Sequence, residues 1–287
     1  HKRALGSEEK LMASWLQQAF QENTILWLFL SSVVGGIIGA STKFIFDVVL
    51  PQRVQRGREA IIAKRKYASP ILHTAIALRD RAENIIKNIH VIEEESWFPA
   101  NDNTEKYYYM STLFVVGQFF GWVQILRQTI VFLDFTTTTE TQKFEGFLTM
   151  IENGFTNPSL LTQAKTGIPK HSKDKWIHKY QLQAIAASMI ARDDHEYRII
   201  DYATFCKMYT KHSDNDFKDW FFHLSQLFLG LKADDERLKR ITIIHAILNS
   251  FISYVDPKHL QADIDPFYWD NLSAQEVQKI KGMIESV

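Results

Sequence analysis

One cysteine in 287 residues, Cys206, excludes an internal disulfide and any all-cysteine metal site, a usage that fits a reducing compartment. An excess of charge is missing as well. Lys+Arg and Asp+Glu balance at 33 each, so no global field favours nucleic acid, and electrostatics can act only locally. The familiar catalytic signatures are lacking too: no Gly-rich phosphate loop, no His-Glu-x-x-His, no nucleophile elbow, no kinase or Rossmann fingerprint. These absences leave no catalytic residue, no cofactor and no metal ligand to assign. Disorder is excluded by the opposite property, since 46% hydrophobic residues can fill a core for one large or two modest domains. The opening HKRALGSEEK reads as a processed or appended end outside the fold.

What is present, first of all, is a long apolar run. Between Glu22 and Lys43 there are 20 positions without a charge, about 30 Å of helix, the thickness of a hydrocarbon core. A cleavable signal would be shorter and would carry its basic residues first; here they follow. Lys43 and Asp47 lie near the end of the run at a spacing of four, where lysine can snorkel and the pair partly neutralises itself. After Pro51 come Arg53, Arg56, Arg58, Lys64, Arg65 and Lys66 against Glu59 alone. By the positive-inside rule, this places the rest of the chain in the cytoplasm or a stroma-like compartment. The same cluster faces lipid headgroups more naturally than nucleic acid, because it abuts an anchor. The rival reading is a buried helix of a soluble protein. The expected organisation is an N-terminal segment 1–23, a transmembrane helix 24–50, a basic juxtamembrane segment 51–68 and an all-α cytoplasmic domain 69–287.

Within the anchor, Ser31, Gly35 and Gly39 recur every four residues, as do Ser32, Gly36 and Ala40. In lipid such small residues let a second helix approach closely, so these six are expected to form a helix-helix contact.

Downstream, Ser69-Pro70 reads as a helix start, with Ile71, Ala75, Leu78, Ala82, Ile85 and Ile89 as one apolar seam and Arg79, Asp80, Arg81, Glu83 and Lys87 on other faces. Tyr107 to Phe135 is the second oily segment. Gln118, Gln124, Arg127 and Gln128 interrupt it, which favours the central helix of a soluble bundle over a second span, and Gly117 and Gly121 suggest a close crossing. Further helices are expected near 140–153, with Thr137 and Glu140 at capping-box spacing, and near 176–191, 197–209, 217–231, 235–255 and 273–284, with a loop over 154–174. No strand is expected. The seam of the first helix is too short and too rich in alanine for a free coiled coil.

Four histidines bear on function. His171 and His178 flank a helix start, and His223 and His245 lie on apolar helices, where an imidazole is usually hydrogen-bonded in the core rather than a metal ligand. Asp193, Asp194, His195 and Glu196 crowd together, but consecutive helical residues diverge by about 100°, so the run reads as a solvated helix junction. The acidic Glu93 to Glu95 reads as solvated or as facing a basic partner. Cys206, among aromatics, reads as an inert buried thiol.

The blocks YYYMSTLFVVGQFFGWVQILRQTIVFLDF, YQLQAIAASMI and RLKRITIIHAILNSFISYVDP resemble a family of uncharacterised bacterial or cyanobacterial helical proteins, some of them membrane-anchored. The resemblance implies a shared helical fold and no activity. The expected function is that of a membrane-anchored interaction protein, an accessory subunit, scaffold or assembly factor. Its partners would be the membrane and another membrane protein or a second copy of itself, without nucleic acid. The alternative is a membrane-acting effector or sensor whose helical domain controls assembly of the anchor.

Overall fold

The computed structural model describes residues 14, 17, 31–36, 43, 50–101, 106–130, 139–160, 177–193, 196–210, 215–263 and 266–287. The chain divides into two compact units, His1–Glu59 and Ala60–Val287. In the first, every described residue is helical, and 31–36 is exposed. Most of the expected membrane helix 24–50, with Gly39 and Ala40, lies outside the described residues, as does Thr137.

Helix α1 (Leu50–Lys87) runs through Pro70 rather than starting there. A proline inside a helix costs a hydrogen bond and roughly 3 kcal/mol. Burial compensates, because Tyr67, Ile71, Leu72 and Ala75 on both sides of the break all lie in the core. The expected seam is buried throughout. Arg79 departs from expectation: it is buried rather than solvated, for a reason given below. A short α2 (Ile89–Glu94) follows.

Helix α3 (Tyr107–Ile130) is the centre of the second unit. By length and composition its residues Tyr107–Thr129 could cross a membrane, yet 72% of its most apolar window is buried within the fold. Its close neighbour is α5 (Lys179–Ser188). Gly117 and Gly121 make that approach possible. A Cβ on Gly117 would stand 3.0 Å from Met189 Cγ, and one on Gly121 only 2.6 Å from Ile199 Cδ1.

That isoleucine belongs to an element absent from the expectation, an antiparallel hairpin of β1 (Ile190–Asp193) and β2 (Glu196–Ile199), with Ile190 opposite Ile199 and Asp193 opposite Glu196. The segment is therefore not a helix junction. Along β2 the exposed Glu196 and Arg198 alternate with the half-buried Tyr197 and Ile199, the period of two that a strand with one packed face requires. Residues 194 and 195 lie outside the described set.

The remaining helices are α4 (Thr139–Thr156), α6 (Tyr202–Thr210), α7 (Asn215–Phe228), α8 (Glu236–Val255) and α9 (Ala274–Glu285). The stretch expected as a loop, 154–174, starts inside α4, which runs on to Thr156, and a 3-10 turn, Pro158–Leu160, follows. The start of α8 is set by Asp235, whose carboxylate accepts from the Arg237 amide at 2.8 Å, and that of α9 by a Ser273/Glu276 capping box. Helix α4 packs on α8, and α7 on α5 and α6. Between α8 and α9 the described residues 256–263 and 266–273 form an irregular strap containing the 3-10 turn Trp269–Asn271.

Candidate functional site

The small residues of the expected contact are helical where described. Ser31, Ser32, Gly35 and Gly36 are exposed, and a Cβ on either glycine would meet nothing within 4 Å. Val33 and Val34 beside them are 45% and 49% exposed. The basic run follows on α1, which carries Arg53, Arg56, Arg58, Lys64, Arg65 and Lys66. Lys66 is already engaged: its ammonium lies 2.5 Å from Glu196 of the hairpin, raising the lysine and lowering the carboxyl from their ordinary pKa values.

The densest polar constellation of the second unit was not singled out in the sequence. It lies where the strap crosses α1 and α8. Glu83 of α1 accepts from the Tyr268 hydroxyl at 2.6 Å and from the Lys87 ammonium, one turn on, at 2.7 Å. Burial pushes this carboxyl up, but the two hydrogen bonds outweigh it and hold it below its usual range. Arg79, one turn earlier, donates Nη1 to the Asp263 carbonyl at 2.7 Å and its Nε and Nη2 to Asp80. Those partners explain how a guanidinium 5% exposed is tolerated.

His245 of α8 completes the group. Its ring is fully buried, stands edge-on to Tyr268 at 5.2 Å between centroids, and has no hydrogen-bond partner at either nitrogen among the described residues. The expected hydrogen bond is thus missing. Burial lowers its pKa from 6.5 to about 4, against the smaller upward pull of Glu83. Burial therefore favours the neutral imidazole at pH 7.

The other candidates resolve into structure. A cavity of about 20 Å³ lies among Leu78, Thr112, Phe155 and Ile244, with Arg81 at its edge; it holds about one water and no pigment or acyl chain. Cys206 is half-buried rather than buried as expected. Glu93 accepts from the Ala233 amide at 3.2 Å, and Glu95 from the Trp97 indole at 2.5 Å, so part of the acidic run serves the fold. His178 and His223 meet at 6.0 Å between ring centroids, and His171 lies outside the described residues. Among the described residues, no three His, Cys, Asp or Glu side chains gather as a metal site would require. Against known proteins, no family model, no curated protein and no solved structure matches this chain.

Proposed function

We propose that the chain is a membrane-anchored helical interaction protein, an accessory subunit, scaffold or assembly factor. It would bind another membrane protein, or a second copy of itself, through the anchor at 24–50. The observation that carries this reading is the turn 31–36, whose Val33 and Val34 are exposed and whose Gly35 and Gly36 border open space. Two glycines and two valines on an exposed helical turn are costly in water and useful in lipid, where small residues admit a second backbone. The basic residues from Arg53 to Lys66 hold the domain on the cytoplasmic or stroma-like side. The other apolar helix, α3, is largely committed to the core of the second unit, which supports reading the N-terminal run as the span.

The test is a Gly35→Leu/Gly39→Leu double variant, expressed at native level and purified in mild detergent. Leucine keeps the segment apolar enough to insert but fills the groove. The variant is expected to stay in the membrane while its copurifying partners, or its dimer, fall about 5- to 30-fold, what a contact of about 1–2 kcal/mol supplies. An unchanged partner set and oligomer size would sink the proposal.

A further inference from the structure

We draw no further inference here: the strongest candidate, the outer face of α7 on which Trp220 and Phe222 stand 46% and 50% exposed beside His223, is an apolar surface patch, and nothing in the structure shows what covers it.

Discussion

A buried charge in this protein is the signature of a partner far away in sequence. Arg240 is 1% exposed, yet its Nη1 donates to the Gly154 carbonyl at 2.6 Å and to the Asn157 carbonyl at 3.2 Å, where α4 ends. Carbonyls at a helix C-terminus lack intrahelical partners and carry the negative end of the helix dipole, so a guanidinium satisfies both needs. Burial lowers its pKa to about 10, which leaves it charged at neutral pH. Arg240→Met should destabilise the protein by about 2–4 kcal/mol, because the carbonyls stay buried without a donor. Arg240→Lys should lose less, since one charged donor remains. Urea unfolding followed by far-ultraviolet circular dichroism checks the order, and equal losses would show that a charged donor without the guanidinium fork restores nothing. Nothing in the sequence marks Arg79 or Arg240 as buried, and the apolar helix that points to burial of His245 does not disclose its unpartnered ring. Their carbonyl and ring neighbours, at Asp263, Gly154 and Tyr268, come from segments that only the fold brings near.

At the scale of elements, periodicity was legible where a helix was long and one-sided. The α1 seam, the α8 start at Asp235 and the Ser273 cap are all local signals, and each is found in the structure. Locality misled at Pro70 and at the hairpin. A proline after serine is a start signal only if the preceding turn has no burial of its own to keep it helical, and Tyr67 has. The hairpin strands are four residues each, too short for a pattern of two to stand out among good helix formers. Their place is set by the notch at Gly121, where Ile199 lies. Gly121→Val should therefore cost about 1–3 kcal/mol through overpacking. Gly282→Ala, facing open space in α9, should add about 0.5–1 kcal/mol by removing helical glycine. Thermal melts of the two variants should move in opposite directions. A Gly121→Val protein as stable as the parent would mean that the notch is not filled as described.

For the whole molecule, the question is whether α3, or the N-terminal run proposed as an anchor, meets lipid. If α3 is committed to the core, a chain starting at Ala60 should be strongly helical and leave membranes on alkaline washing. Retention there would make Tyr107–Thr129 a second span and redraw the topology. Helical class and the apolar seams follow from sequence, because each rests on the spacing of neighbours along one helix and needs no distant partner, and the proposed anchor with its basic flank is read from the same kind of local signal. Burial of α3 was legible in part, from the glutamines and Arg127 that interrupt it. The cluster of Glu83, His245 and Tyr268 was not legible at all. Glu83, His245 and Tyr268 stand up to 185 positions apart, and only the crossing of the strap over α1 and α8 makes them one electrostatic system. Hydrophobic periodicity is a property of a segment, and sequence determines it directly. The pairing of buried polar groups depends on which segments fold against each other, and tertiary structure alone decides it.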